Sequence, residues 1–322
     1  MSGHDHGAAT GDRRVLWAVG ANVLLTVAQV VGGILSGSLS LIADALHNFS
    51  DAASLVIAFV ARRISRRPSN EAMTFGYVRA EIVAALINYT TLIIIGLYLV
   101  YEAVMRFIEP QPVEGWMIVI IAAVALVVDV ATAWLTYALS KGSMNIRAAF
   151  LHNIADALGS VGVIVAGTLI LLYDWRIVDP IVTLLIAGYI LWQAFSEIGG
   201  AVRLLMLGAP PDIDVGSVLE AMRRTEGVED VHHLHVWAID ESRIALEAHI
   251  VAAEGLPLEA CASIRRRLRE RLRSRFGISH VTLEVESPSE READDERQVI
   301  GHPTGGATGH DNHASHSFGK GE

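Results

Sequence analysis

Six apolar runs, each long enough to cross a bilayer as a helix, occupy the first two thirds of the chain. They cover residues 15–35, 39–60, 82–104, 116–139, 148–172 and 177–198. A helix needs about 20 predominantly apolar residues to cross the hydrocarbon core of a membrane. Only residues 36–38 separate the first two runs, so these two helices are expected to form a tight hairpin. The sequence therefore predicts a membrane all-α bundle of six transmembrane helices.

The last third of the chain has the composition of a soluble protein. Helices are expected at residues 215–225 and 258–276. Strands are expected at residues 231–239, 243–251 and 280–286, and the first two show the alternation of apolar and polar residues that strands require. The order α-β-β-α-β is typical of a small α+β domain with helices on one face of a sheet.

These changes in composition divide the chain into four segments. An N-terminal tail (residues 1–14) precedes the transmembrane domain (15–207), and the small domain (208–287) precedes a His-containing C-terminal tail (288–322). Gly, Ser and acidic residues in the C-terminal tail favour disorder. A small domain of about 80 residues is marginally stable alone, which favours docking or dimerisation.

Positive charge is distributed unequally between the two sets of connections that alternate across the membrane. One set holds only Arg106 and Arg176. The other set holds Arg13, Arg14, Arg62, Arg63, Arg66, Arg67, Arg79, Lys141, Arg147 and Arg203. Because Lys and Arg accumulate in cytoplasmic loops, both termini and the small domain are predicted to face the cytoplasm. The short loops favour a bacterial plasma (inner) membrane.

The overall charge and the cysteine content exclude several classes of function. The formal net charge is −10 and the isoelectric point is about 5.7, which argues against nucleic-acid binding. Cys261 is the only cysteine, so the chain has neither an intramolecular disulfide nor a Cys-rich zinc site. The apolar runs are expected to contact membrane lipid.

Two copies of the pattern His-Asn-x-x-Asp lie within the second and fifth apolar runs. They begin at His47 and His152 and end at Asp51 and Asp156. Residues i and i+4 share one face of a helix, so each run presents an imidazole beside a carboxylate. A charge at the bilayer centre costs roughly 2.5–3.5 kcal/mol on insertion scales, so two such pairs need a functional reason. Two nitrogen and two oxygen ligands from facing helices would form a tetrahedral site for Zn²⁺.

Other polar residues of these runs leave alternatives open. The two His/Asp pairs could be unrelated, each satisfied by hydrogen bonds within the bundle. Asp44, Asn48 and Asn153 lie beside the pairs and could orient the ligands or belong to an ion path. Asp44 could equally be a buried carboxylate that accepts hydrogen bonds from Ser or Asn. Gln29 and Asp129 favour interhelical hydrogen bonding, and Asp129 could instead relay protons.

The small domain carries a second group of metal-ligating side chains. His232 and His249 lie on two neighbouring predicted strands, and Glu286 lies on the third. These three residues form a candidate cytoplasmic metal site; surface histidines without a metal are the alternative. Alternation along the first strand predicts that His233 and His235 share a face opposite to His232.

These motifs together resemble the cation diffusion facilitator family, in particular its zinc-exporting branch. The resemblance covers about residues 15–287. It rests on residues 44–51 (DALHNFSD), 75–81 (FGYVRAE), 145–160 (NIRAAFLHNIADALGS) and 235–237 (HVW).

The resemblance implies a homodimeric antiporter that exchanges cytoplasmic metal for protons by alternating access. Zn²⁺ would be the transported substrate, with cadmium or cobalt often tolerated, and protons would be the counter-ion. The sequence does not rank zinc against cadmium, cobalt or iron. A metallochaperone-like cytoplasmic domain would bind zinc and dimerise. The implied transport ligands are His47, Asp51, His152 and Asp156, and the implied cytoplasmic ligands are His232, His249 and Glu286.

Two other classes of function are compatible with parts of this pattern. A membrane-embedded metalloenzyme needs an open coordination position and a positioned base. The chain contains no His-Glu-x-x-His and no recognisable nucleophile, so we predict that it is not an enzyme. A metal sensor anchored by the apolar helices would need no ligands within the membrane.

Overall fold

The computed structural model describes residues 23–139, 144–240, 242–289 and 299–300. The chain forms two compact units, Met1–Leu205 and Met206–Glu322. The predicted N-terminal tail and the start of the first predicted span lie outside the described residues. The C-terminal tail, for which disorder is predicted, also lies outside the described residues, apart from residues 288–289 and 299–300.

The first unit is helical over its described residues. Its helices are α1 (Val23–Ser36), α2 (Leu39–Ser65), α3 (Ala80–Ile108), α4 (Gly115–Leu139), α5 (Met144–Tyr173) and α6 (Val178–Leu205). Helices α3 to α6 contain apolar stretches long enough to cross a membrane, which confirms four of the six predicted spans. Helix α2 has sufficient length, but its polar residues lower its hydropathy, and α1 is described only from Val23 onward. The count of six spans therefore stays a prediction.

Helix α2 lies between two clusters of buried side chains. On one side, Leu39 packs with Leu99 of α3 and Ile190 of α6. On the other side, Leu41 packs with Ile118 of α4 and with side chains of α5. Helix α2, which carries one His/Asp pair, is therefore central in the bundle and contacts α5, which carries the other.

A buried carboxylate joins α2, α3 and α6 at one end of the bundle. Asp179, in the first turn of α6, is fully buried. Its oxygens accept hydrogen bonds from the hydroxyls of Ser38 (2.6 Å) and Ser40 (2.7 Å) and from the backbone N–H of Leu39 (2.8 Å). The guanidinium of Arg106 lies 3.2 Å from the same carboxylate. An anion at this position satisfies N–H groups that the first turn of α2 cannot bond internally.

The second unit is a three-stranded sheet with two helices. Its elements are α7 (Val215–Arg223), β1 (Asp230–Ala238), β2 (Ile244–Val251), α8 (Leu258–Phe276) and β3 (His280–Glu286). The central strand β2 is antiparallel to β1 and parallel to β3, which confirms the predicted small sheet with helices. Leu268 of α8 shares a buried core with Leu246 and Ile250 of β2. Since side chains alternate along a strand, His249 projects from the opposite face of the sheet.

We expect Asp179→Asn to destabilise the helical unit. The substitution removes the charge paired with Arg106 and places an amide donor among N–H and O–H donors. Breaking a buried ion pair costs about 3–5 kcal/mol, so thermal unfolding in detergent should begin at a clearly lower temperature. The matched control is Asp174→Asn, which alters an exposed carboxylate bonded to Arg176. Equal unfolding temperatures for the two variants would contradict this role of Asp179.

Candidate metal centres

Helices α2 and α5 bring two imidazoles and two carboxylates together. His47 and Asp51 lie one turn apart on α2, and His152 and Asp156 lie one turn apart on α5. One ligand atom from each of the four side chains lies within 4.8 Å of all the others. The structure therefore gathers the four residues that the sequence pattern singled out.

Each imidazole lies between the carboxylate of its own helix and that of the other helix. His47 Nε2 is 3.3 Å from Asp156 Oδ1 and 3.7 Å from Asp51 Oδ2. His152 Nε2 is 3.1 Å from Asp51 Oδ2 and 3.6 Å from Asp156 Oδ2. Ligand atoms of one tetrahedral zinc ion lie roughly 3.3 Å apart, because each bond is about 2.0–2.2 Å long. The observed spacings match that geometry with little movement.

The four side chains differ in their exposure. The side chains of His47 and Asp156 are 8% and 11% exposed, whereas those of Asp51 and His152 are 30% and 32% exposed. Asp51 lies closer than His47 to Arg62 and the rest of the basic end of α2. The group is thus closed on the side of His47 and more open towards the basic end of the helix.

Polar side chains beside this group bond to one another. Gln29 of α1 donates a hydrogen bond to Asp44 (2.6 Å) and accepts one from Asn48 (3.3 Å). The predicted interhelical role of Gln29 is thus observed, and Asp44 is held by that amide. Asn153 directly follows His152 on α5 and is half-buried.

Two further contacts lie near the group: the first is an interhelical hydrogen bond of the kind expected for Asp129, and the second was not anticipated from the sequence. Asp129 of α4 accepts a hydrogen bond from Ser160 of α5 at 2.8 Å. The ring of Tyr189 on α6 meets the ring of His47 edge-on, with 6.0 Å between their centres. A tyrosine in an apolar run carries no positional signal, so only the fold could reveal this contact.

The second unit gathers His232, His249 and Glu286 at the sheet face opposite the helices. Ligand atoms of these three residues lie within 4.8 Å of one another. Glu286 Oε1 is 2.6 Å from His249 Nδ1, and Glu286 Oε2 is 3.4 Å from His232 Nε2. His232 is fully buried. Glu284 lies 3.7 Å from the other nitrogen of His249 and is largely exposed.

The predicted alternation of histidines along β1 is wrong, because the strand contains a bulge. The register with β2 shifts between His232 and His235, and His233 adopts the left-handed conformation at φ 53°. The extra residue restores His235 to the face that carries His232. The ring of His233 lies 4.8 Å from the rings of both His235 and His249. All four imidazoles therefore form one cluster.

Two protein-family models match the chain. The cation efflux transmembrane domain matches residues 15–206, and the cytoplasmic domain of cation efflux proteins matches residues 210–288. The two matched segments together cover most of the chain.

Three relatives match over most of their length. A cadmium, cobalt and zinc/H(+)-K(+) antiporter of Bacillus subtilis is 35% identical over 287 residues, which cover 88% of this chain and 92% of the relative. The zinc transporter ZitB of Escherichia coli is 36% identical over 276 residues, or 85% and 87% of the two chains. The metal cation efflux system protein CzcD of Cupriavidus metallidurans is 32% identical over 294 residues, or 91% and 92%.

We expect Asp156→Asn to weaken zinc binding between α2 and α5. The change removes the negative charge of a candidate ligand that lies 3.3 Å from His47 Nε2. The apparent affinity should fall by more than the roughly 10–100-fold typical of outer-shell substitutions. Chelator competition on the full chain would measure this loss.

The matched control for that experiment is Asp129→Asn, since Asp129 is also buried in the bundle but bonds to Ser160. This control should keep zinc affinity within about tenfold of the unmodified chain. Equal losses in the two variants would show that general destabilisation, and not ligand removal, explains the effect of Asp156→Asn.

Proposed function

The chain belongs to the cation efflux family, and on this basis we propose that it exports divalent metal cations from the cytoplasm in exchange for protons. Zinc is the proposed principal substrate, with cadmium, cobalt and iron as further candidates. The printed names of the relatives from Bacillus subtilis and Escherichia coli, which include zinc, cadmium and cobalt, support this choice. The protein acts as a transporter and not as an enzyme.

One observation supports the proposal most strongly: two imidazoles and two carboxylates from α2 and α5 converge within bonding distance of a single ion. The two carboxylates of Asp51 and Asp156 neutralise a dication, which lowers the cost of holding it away from water. Imidazole nitrogen and carboxylate oxygen are both ordinary ligands of zinc. The ion is cargo, so a site that can both fill and empty is required.

Exchange for protons follows from the chemistry of these ligands. Imidazole must be neutral and carboxylate ionised before either can bind a metal, so metal binding releases protons. An unperturbed imidazole titrates near ~6.5, within the physiological range. Protons on the more acidic side of the membrane therefore compete with the metal for His47 and His152 and displace it there.

Alternating access requires the site to open to each side in turn. The partly exposed ligands Asp51 and His152 lie towards the basic end of α2, which we propose faces the cytoplasm. The structure then corresponds to a state open towards that side. Among helices α2 to α6, α5 packs chiefly on α4, whereas α2 packs chiefly on α3 and α6. A shift of one helix group against the other would reverse the exposure of the four ligands.

We further propose that the protein is a homodimer in a bacterial plasma membrane, with both termini and the second unit in the cytoplasm. The arginine-rich connections support this orientation. The match of residues 210–288 to the cytoplasmic domain of the family supports assembly through that unit. In this proposal His232, His249 and Glu286 hold a resident zinc ion in the cytoplasm.

Transport can be tested with proteoliposomes that contain a pH-sensitive dye. External Zn²⁺ should enter vesicles with an acidic lumen, and protons should leave as zinc enters. In His152→Ala, both signals should fall to the level of empty liposomes, because an imidazole 3.1 Å from Asp51 is lost. Leu158→Ala, which alters an exposed position on the same helix, should transport like the unmodified chain.

Normal transport by His152→Ala would refute the assigned site. A chain that binds zinc but moves none would refute export and indicate a membrane-anchored metal sensor.

A further inference from the structure

We propose that His233 is the fourth ligand of the cytoplasmic metal ion, so that His232, His233, His249 and Glu286 enclose one divalent cation of the zinc class. The inference rests on the cytoplasmic site proposed above and does not depend on transport. A fourth ligand changes the coordination of that site. Three ligands leave an open coordination position, whereas four make a closed site that retains its ion.

The backbone of His233 lies in the left-handed region, with a φ of 53°. Few residues other than glycine adopt this conformation, and Asn, Asp and His are the most frequent among those that do. Such conformations persist where the surrounding structure enforces them, often at functional sites. The bulge therefore tolerates an imidazole at this position.

The bulge also determines where the ring of His233 lies. Without the extra residue, His233 would project towards the helices and away from His249. With it, the rings of His232 and His233 lie 5.2 Å and 4.8 Å from the ring of His249. Two imidazoles bound to one tetrahedral zinc have ring centres roughly 5 Å apart, because each Zn–N bond is about 2.0–2.1 Å. Both distances match that spacing.

Contacts with the rest of the unit hold the bulge in place. The backbone N–H of Leu234 donates to the carbonyl of Val299 at 3.1 Å, and Leu234 pairs with Ile300. The bulged segment thus bonds to a returning segment of the chain on the side away from β2. The side chain of Leu234 is buried in the core of the unit. These contacts anchor the residue next to His233. The half-buried ring of His233 lies outside the three-residue group whose ligand atoms are within 4.8 Å of one another, so we expect its side chain to rotate when the ion binds.

The experiment uses the full chain with Asp156→Asn as background, so that the transport site contributes little. Cobalt(II) is the probe, because four-coordinate cobalt absorbs visible light much more strongly than six-coordinate cobalt. His233→Asn keeps a residue that tolerates the left-handed backbone but lacks the imidazole. We expect its cobalt affinity to fall at least roughly tenfold and its four-coordinate absorption to weaken. His233→Asp, which offers a carboxylate at the same position, should restore much of that absorption.

Two further variants separate the inference from the site on which it rests. His235→Asn removes the ring 4.8 Å from His233 that is not a proposed ligand, and it should leave cobalt absorption unchanged. His232→Ala removes a proposed ligand and should weaken binding in any case. If His232→Ala binds weakly while His233→Asn binds like its parent, the fourth-ligand role is refuted and the three-residue site stands. If neither variant changes binding, the cytoplasmic site itself is refuted.

Unfolding temperatures separate the loss of a ligand in His233→Asn from misfolding of that variant. Metal-free His233→Asn should unfold at the same temperature as its metal-free parent, because Asn suits the backbone at that position. A much lower unfolding temperature, with no recovery of absorption in His233→Asp, would show that the residue has only a structural role and would overturn the inference.

Discussion

The structure depends on one constraint: charged side chains placed among apolar helices must neutralise one another, because lipid cannot solvate them. The bundle meets it in two places. Between α2 and α5, each of His47 and His152 lies between two carboxylates contributed by these two helices. At one end, Asp179 pairs with Arg106 and accepts hydrogen bonds from the start of α2. Both groups include α2, which explains its central position.

The two charged groups have opposite properties, and the difference matches the roles proposed for them. Asp179 is fully buried, and its carboxylate accepts several hydrogen bonds that fix the orientation of the side chain. Asp51 and His152 are about one third exposed, and the four candidate ligands are spread over two helices that pack against different neighbours. A fixed ion pair stabilises the bundle, whereas an exchangeable one can accept and release a cation. A closed cytoplasmic site that includes His233 would resemble the Asp179 group, because it would hold its ion and not exchange it.

Much of the candidate site could be predicted from the sequence, because it depends on local periodicity. The spacing of His47 and Asp51, repeated on α5, put each pair on one helix face, and strand alternation predicted the small sheet with its helices. The contact between Ser38 and Asp179 could not be predicted, since 141 residues separate them. The bulge at His233 was also missed, because an extra residue in one strand is defined only by the register of its partner.

The most direct measurement is anomalous X-ray diffraction at the zinc edge, from crystals of the full chain grown with zinc. The central claim predicts a strong anomalous peak between α2 and α5, about 2.0–2.2 Å from one atom each of His47, Asp51, His152 and Asp156. Zinc found only in the cytoplasmic unit, with the four side chains of the bundle bonded to one another as before, would contradict it.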